Sequence, residues 1–180
     1  MSKWKIDDSW SLFLDRDGVI NVRLDNDYVK SVKEFEFLPG VREAIANFSS
    51  SFGYIFVVTN QQGVGKGLMS ESNLNDIHRF MEMEINAHGG FITKCYYAPG
   101  IKSPQNQLRK PKPGMALLAQ RQHKGVDFSK SIMVGDTDSD IIFGKQLGMK
   151  TVRILTHEEK NVEADLTINR LSELIHFIEI

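Results

Sequence analysis

The stretch Ser11-Leu12-Phe13-Leu14-Asp15-Arg16-Asp17-Gly18 decides the fold of this 180-residue chain. A short run with three large apolar residues is followed at once by two aspartates and a glycine. Apolar runs of this length that end in polar residues are typical of strands buried on both faces of a parallel sheet. Ligands of such sheets bind beyond the carboxyl ends of the strands, so Asp15 and Asp17 are candidate site residues.

Similar runs alternate with segments of helical spacing along the rest of the chain. Further strands are predicted at Tyr54–Val58, Phe91–Tyr97, Ser131–Val134 and Thr151–Leu155. Helices are predicted at Val41–Phe48, from Ser70 to the stop at Gly89-Gly90, from Pro113 to Gln122, at Asp138–Leu147 and, as an amphipathic stripe, at Leu171, Leu174, Ile175 and Ile178. Alternating strands and helices predict an α/β fold with a central parallel sheet, and we expect residues 1–180 to form a single domain.

Composition excludes several classes of protein. The chain has 22 basic and 23 acidic side chains, a balance that argues against binding nucleic acid or anionic membranes. Its longest apolar run, Tyr54–Val58, is too short to span a bilayer, and the N-terminal lysines are not followed by the apolar segment of a secretory signal. The single Cys95 excludes a disulfide framework. We expect a cytoplasmic monomer with no nucleic-acid or membrane partner.

Polar residues of complementary chemistry follow four of the predicted strands. These residues are Asp15 and Asp17, then Thr59-Asn60-Gln61, then Arg109-Lys110, and finally Asp136 and Asp140 after Gly135. Together they place at least three carboxylates, a hydroxyl and a lysine at one edge of one sheet. Clustered carboxylates repel one another and need a cation, and hard oxygen ligands suit Mg²⁺. A metal ion, a lysine and a hydroxyl that converge in this way would bind phosphate.

Gly63–Gly67 lacks the spacing of a nucleotide-binding loop and is predicted to be a flexible loop at the mouth of the site.

These motifs, in this order, resemble the four motifs of the haloacid dehalogenase-like (HAD) phosphohydrolases. Longer stretches at Phe13–Asn21, Val58–Gly63 and Arg109–Met115 resemble the heptose bisphosphate phosphatases of that superfamily, and the histidinol-phosphate phosphatases share much of them. The resemblance implies a Rossmann-like three-layer α/β fold without a large cap domain. It also implies a phosphomonoesterase that removes the C7 phosphate of a small sugar, D-glycero-D-manno-heptose 1,7-bisphosphate.

The resemblance assigns a role to each motif residue. Asp15 is expected to be the nucleophile, and Asp17 the general acid and base, with a pKa raised by its surroundings. Thr59 is expected to bind the phosphoryl group, and Lys110 to offset negative charge near the nucleophile. Mg²⁺ is expected on Asp15, on the backbone carbonyl of Asp17 and on Asp136. Asn60, Gln61 and Arg109 are the expected substrate contacts, and Asp140 a supporting residue.

The loop from Tyr97 to Leu108 departs from the family pattern. Heptose bisphosphate phosphatases typically carry a zinc clip of cysteines and a histidine there, and this loop has neither residue type. We therefore expect no zinc, with Pro99 and Pro104 as candidates for ordering the loop. The departure leaves histidinol phosphate open as an alternative substrate. A polynucleotide 3′-phosphatase should offer a basic groove, and a phosphate-accepting signalling domain would lack Asp17.

Overall fold

Eight β-strands run through residues 3–179, the part of the chain that the computed structural model describes. They are β1 (Trp4–Lys5), β2 (Ser11–Leu14), β3 (Tyr54–Asn60), β4 (Lys94–Ala98), β5 (Ser131–Gly135), β6 (Lys150–Ile154), β7 (Leu166–Ile168) and β8 (Ile178–Glu179). Six of them form a parallel sheet in the order β4-β3-β2-β5-β6-β7, and β1 pairs separately with β8. Met1 and Ser2, which belong to the stretch predicted to contain no secretory signal, and Ile180 lie outside the described residues.

Helices cover both faces of the sheet and give the fold three layers. They are α1 (Val41–Ser49), α2 (Gln62–Gly65), α3 (Glu71–Ala87), α4 (Gly114–Gln122) and α5 (Asp138–Gln146), with 3₁₀ turns at Val32–Glu34, Phe128–Lys130 and Leu171–His176. Because side chains alternate along a strand, Leu12 and Leu14 of β2 pack on the face that α1 and α3 cover. Phe13 packs on the opposite face with Met115 of α4 and Phe143 of α5. The predicted α/β fold without a large cap domain is confirmed.

Two of the predicted element ends near the site are wrong. β3 continues past Val58 because Thr59 and Asn60 pair with Tyr97 and Ala98 of β4. The predicted loop Gly63–Gly67 instead begins inside α2, in which Gln61 O accepts a hydrogen bond from Val64 N at 3.2 Å. The first correction comes from pairing with a strand distant in the chain, which local sequence patterns do not encode.

The C-terminal segment also differs from its prediction. The apolar stripe from Leu171 predicted an amphipathic α-helix, whereas the structure has a 3₁₀ turn followed by β8. Leu171 and Leu174 are three residues apart, which suits the three residues per turn of a 3₁₀ helix, and both are buried. Ile178 is buried because it pairs with Trp4. The short edge strand β7 was not predicted, since its alternating pattern is only three residues long.

The order of the strands creates a crevice beside β2. The chain adds β3 and β4 on one side of β2, and later adds β5, β6 and β7 on the other side. Such a reversal opens a crevice beyond the carboxyl ends of the two central strands. Asp15 directly follows β2 and Asp136 directly follows β5, so both carboxylates lie at this crevice. No helix in the described part of the chain is long and apolar enough to cross a membrane.

Candidate active site

A cavity of about 1040 Å³ opens at the carboxyl ends of the central strands. Its lining includes six of the residues that the sequence singled out: Asp15, Asp17, Thr59, Asn60, Arg109 and Lys110. Loops after β2 and after β6 contribute further wall residues, including Arg23, Tyr28 and Glu158. The crevice predicted from strand order is therefore the cavity in which the motif residues meet.

Asp15 and Lys110 form the centre of the site. Lys110 Nζ lies 2.9 Å from Asp15 Oδ1 and 2.6 Å from Asp140 Oδ1, and all three residues are buried. Burial raises the pKa of Asp15 to about 6, and the charge of Lys110 opposes this rise. Burial also acts to lower the pKa of Lys110, but Asp140 and Asp15 outweigh it and raise that pKa above its ordinary value. Lys110 is therefore a cation that serves two carboxylates.

Asp140 reaches Lys110 because the start of α5 holds it. Its Oδ2 accepts hydrogen bonds from Thr137 N at 3.0 Å and Thr137 Oγ1 at 2.6 Å, which ties the side chain of Asp140 to the N-cap residue of α5. A side chain at residue 135 would leave no room for Asp140, because a Cβ there would lie 2.1 Å from the Cβ of Asp140. Asp140 is fully buried, and its contacts are with Lys110 and the helix start.

Asp136 has a free oxygen that points to a metal site. Its Oδ2 accepts a hydrogen bond from Arg23 Nη1 at 3.2 Å, whereas Oδ1 is buried without a hydrogen-bond partner. Burial, reinforced by the charges of Asp15 and Asp140, raises the pKa of Asp136 to about 7. Carboxylate oxygens of these three aspartates lie within 4.8 Å of one another, the one such group found in residues 3–179. The group consists of hard oxygen donors and fits a divalent cation such as Mg²⁺.

Asp17 is held on three sides. Arg16 Nη2 donates to both of its oxygens at 2.9 and 3.1 Å, Asn21 Nδ2 donates to Oδ1 at 2.9 Å, and Gln61 Nε2 donates to Oδ2 at 2.7 Å. Burial alone would raise the pKa of Asp17, but the Arg16 charge and these hydrogen bonds outweigh burial and lower it. The predicted raised pKa is therefore wrong for this structure. The sequence pattern gave no role to Arg16, although the charge of its guanidinium is the largest cause that lowers the pKa of Asp17.

The three residues at the end of β3 and just beyond it have different surroundings. Thr59 lines the cavity, and its Oγ1 accepts from Gln61 Nε2 at 2.9 Å. Asn60 also lines the cavity, but both ends of its side chain bond the backbone of Lys110, at 3.2 Å to the carbonyl and 2.9 Å to the N–H. Gln61 is fully buried beneath Asp17 and Thr59. Gln61, expected to contact substrate, therefore supports the site from below.

The loop before Lys110 is tied together by Asn106 rather than by prolines alone. Asn106 Nδ2 donates to the carbonyls of Gly100 and Ile101 at 3.1 and 3.2 Å, and its Oδ1 accepts from Arg109 N at 3.2 Å. Pro99 contributes through its carbonyl, which accepts from Gly65 N at 2.9 Å. Asn106 thus joins the two ends of the loop that carries Arg109. The expectation that Pro99 and Pro104 order the loop missed this side chain.

Arg109 faces the cavity with an unused donor. Its Nη1 is buried and has no hydrogen-bond partner, and no carboxylate in the described residues forms an ion pair with it. Burial lowers its pKa from the ordinary arginine value. A buried guanidinium nitrogen without a partner is costly, and an anionic or polyhydroxyl ligand would satisfy it.

Comparisons with known proteins agree with this geometry. Residues 107–174 match the model of the HAD-hydrolase-like family. A D-glycero-α-D-manno-heptose-1,7-bisphosphate 7-phosphatase of Campylobacter jejuni is 32% identical over 94% of this chain and 95% of its own length. The corresponding β-anomer enzyme of Vibrio cholerae is 34% identical over 93% and 95%. The chain belongs to the HAD heptose bisphosphate phosphatases.

Solved structures of this family share the fold. A D,D-heptose 1,7-bisphosphate phosphatase from B. bronchiseptica, complexed with magnesium and phosphate, superimposes with a TM-score of 0.84 at 28% identity. The match covers 93% of this chain and 96% of that one. As a HAD phosphatase, the chain is a hydrolase of phosphate esters, and the acidic group at its cavity can bind a metal ion.

Proposed function

We propose that this phosphatase removes the C7 phosphate of D-glycero-D-manno-heptose 1,7-bisphosphate, with Mg²⁺ and through an acyl phosphate formed on Asp15. The observation that carries the proposal is the contact of Asp15 Oδ1 with Lys110 Nζ at 2.9 Å, close to the carboxylates of Asp136 and Asp140. A lysine that fixes a carboxylate, together with a neighbouring cation site, would neutralise the charge of a phosphoryl group that binds there. The carboxylate can then attack the phosphorus.

Asp15 acts as the nucleophile in this proposal, and Asp17 transfers the protons. A carboxylate oxygen of Asp15 forms a bond to phosphorus while the bond from phosphorus to the leaving sugar oxygen breaks. Asp17, which is partly open to the cavity, gives the leaving alkoxide a proton and later takes one from water. Because Arg16 and Gln61 stabilise the carboxylate form, Asp17 is well suited to the second of these tasks, and it must acquire its proton on substrate binding for the first.

The surrounding residues hold the phosphoryl group and the metal. The hydroxyl of Thr59 lies at the cavity wall and binds phosphoryl oxygens in this proposal. Asp15, Asp136 and the backbone carbonyl of Asp17 hold Mg²⁺, for which the unpartnered Oδ1 of Asp136 is the structural support. Bound Mg²⁺ supplies neutralisation of negative charge on the phosphoryl oxygens. Lys110, positioned by Asp140 and by Asn60 through its backbone, keeps Asp15 oriented.

The position of Arg109 favours a bisphosphate as the substrate over histidinol phosphate. Its buried, unpartnered Nη1 suits the second phosphate or the hydroxyls of a sugar, whereas the cationic amine of histidinol phosphate would be repelled by it. The two relatives named above act on different anomers of heptose bisphosphate, so the anomer is part of the test.

The test is a comparison of kcat/KM for both anomers of heptose 1,7-bisphosphate, histidinol phosphate and a 3′-phosphorylated oligonucleotide, with and without Mg²⁺. We expect at least one anomer to exceed histidinol phosphate by ~10-fold or more, equivalent to about 1.4 kcal/mol of transition-state discrimination. Equal efficiency, or a preference for histidinol phosphate, would contradict the substrate. Full activity in excess EDTA would contradict the metal.

A further inference from the structure

A buried chain of contacts runs behind Asp17, away from the cavity. Arg16 has no exposed surface, and its Nη2 donates to both oxygens of Asp17. Its Nη1 lies 3.3 Å from Nε2 of His78, a residue of α3 that is only 5% exposed. The guanidinium of Arg16 is thus placed between a carboxylate at the site and an imidazole from a helix that the site does not otherwise use.

The contact fixes the proton arrangement of His78. An arginine can only donate hydrogen bonds, so Nε2 must be unprotonated to accept one, and the ring proton of neutral His78 sits on Nδ1. Burial, together with the charge of Arg16, lowers the pKa of His78 to about 3, in agreement with a neutral ring. His78 is therefore an acceptor for Arg16 and adds no positive charge beside it.

His78 sets the orientation of the Arg16 guanidinium. The guanidinium is rigid and planar, so a hydrogen bond at Nη1 fixes the plane in which Nη2 meets Asp17. Arg16 Nε has no hydrogen-bond partner in the described residues, which leaves Nη1 and Nη2 as the atoms that orient the group. Asn21 and Gln61 each reach one oxygen of Asp17, whereas Arg16 reaches both.

We infer that His78 and Arg16 are positioning residues that hold the carboxyl group of Asp17 at the leaving-group side of the cavity for proton transfer. The inference rests on the proposed role of Asp17 as the general acid. Asp15 is held by Lys110, which also contacts Asp140, and Asp17 is held by Arg16, which also contacts His78. Loss of the acceptor at residue 78 frees the guanidinium to turn and lets Asp17 drift from the leaving oxygen.

The leaving group provides a readout that a general loss of stability would not change. A sugar alkoxide needs a proton from Asp17 as its bond to phosphorus breaks, whereas nitrophenolate leaves p-nitrophenyl phosphate as a stable anion. Poor positioning of Asp17 therefore lowers kcat/KM for the sugar bisphosphate more than for p-nitrophenyl phosphate. The ratio of the two values is independent of the folded fraction in a preparation, because both are measured on the same sample.

The experiment measures this ratio in His78→Leu, which removes the acceptor, and in His78→Gln, whose side-chain oxygen can still accept from Arg16. His123→Leu is the matched control, because His123 packs on Tyr54 and Phe56 and does not line the cavity. We expect the ratio to fall by ~10-fold in His78→Leu, less than the factor of about 10² expected for loss of the general acid itself, and by less than about 3-fold in the other two variants.

Asp17→Asn separates failure of this inference from failure of the proposed function. The ratio should fall by about 10²-fold in Asp17→Asn, and adding His78→Leu to that variant should lower it no further. If Asp17→Asn lowers the ratio but His78→Leu leaves it at the wild-type value, or His78→Gln falls as far as His78→Leu, the inference is overturned and the proposed function stands. If Asp17→Asn leaves the ratio unchanged, the acid role and the inference fail together.

Discussion

Gly18 offers a direct test of how tightly the site is built around Asp136. Gly18 has φ of +86°, and a Cβ built there would lie 2.5 Å from Oδ2 of Asp136 and 2.7 Å from its Cγ. Ordinary contact begins at 3.4 Å, so an alanine methyl would push that oxygen away by about 0.9 Å. Asp136 has little freedom to give way, because it is buried and its Oδ2 accepts a hydrogen bond from Arg23.

Gly148→Ala is the matched control for this substitution. Gly148 has a similar φ of +75°, but a Cβ there would have nothing within 4 Å. Both variants incur the left-handed backbone cost of about 1–2 kcal/mol, and Gly18→Ala adds an overpacking cost of about 1–3 kcal/mol. We therefore expect Gly18→Ala to unfold more easily than Gly148→Ala by the second amount.

The effect on catalysis should be larger than the effect on stability. A displacement close to 1 Å in a catalytic group costs on the order of 10²-fold in rate, and we expect kcat/KM of Gly18→Ala to fall by about that factor. The apparent Kd for Mg²⁺, from calorimetry and from the metal dependence of the rate, should rise by about 10-fold or more. Wild-type Mg²⁺ affinity and rate in Gly18→Ala, with unfolding no easier than in Gly148→Ala, would refute the reasoning.

Four other changes have defined outcomes. Arg109→Ala should reduce the preference for heptose bisphosphate over histidinol phosphate while kcat/KM for p-nitrophenyl phosphate stays largely intact; an unchanged preference would show that Nη1 does not meet the substrate. Asn106→Ala, which loses contacts to Gly100, Ile101 and Arg109, should raise KM for the bisphosphate, and a wild-type KM would contradict its role in the loop. Lys110→Met should destabilise the fold by about 3–5 kcal/mol in chemical denaturation, because two buried carboxylates lose their cation. Unfolded His78 binds a proton near pH 6.5 and folded His78 only near pH 3, so the contribution of His78 to stability should fall by ~2 kcal/mol between about pH 7 and about pH 5. Asp15 and Asp136 titrate in the same range with the opposite sign, so the measurement is the unfolding free energy of the wild type minus that of His78→Gln at each pH; a difference that does not change with pH would contradict the burial argument.

The network around Asp17 shows how a catalytic carboxyl group can be well ordered before substrate arrives. Four hydrogen bonds from Arg16, Asn21 and Gln61 fix its position, and none of these three residues lines the cavity. Such support keeps a reacting group in place at the moment of proton transfer, which is when misplacement is most costly. The same contacts lower its pKa, so positional order and proton affinity are set by one group of residues.

The sequence alone determined the central architecture and the identity of the motif residues. Apolar runs such as Leu12–Leu14 that end in polar residues are typical of strands buried on both faces of a sheet, and polar residues that follow parallel strands meet at one edge. Local pattern therefore predicted that Asp15, Thr59, Lys110 and Asp136 come together. The same logic failed for the stripe from Leu171, because local spacing does not reveal that Ile178 has a strand partner in Trp4.

Only the tertiary structure decided what each of these groups experiences. The charge of Arg16 and hydrogen bonds from Arg16, Asn21 and Gln61 outweigh burial and lower the pKa of Asp17. Arg16 also contacts His78, 62 residues away in the chain, and no local pattern records that contact. Gln61 supports Asp17 from below although its position in the motif suggested a substrate contact. Asn106 joins the ends of a loop in which the sequence offered only prolines as candidates. Spacing along the chain fixes which residues reach the site, whereas burial and hydrogen-bond partners from distant segments fix their charge and orientation.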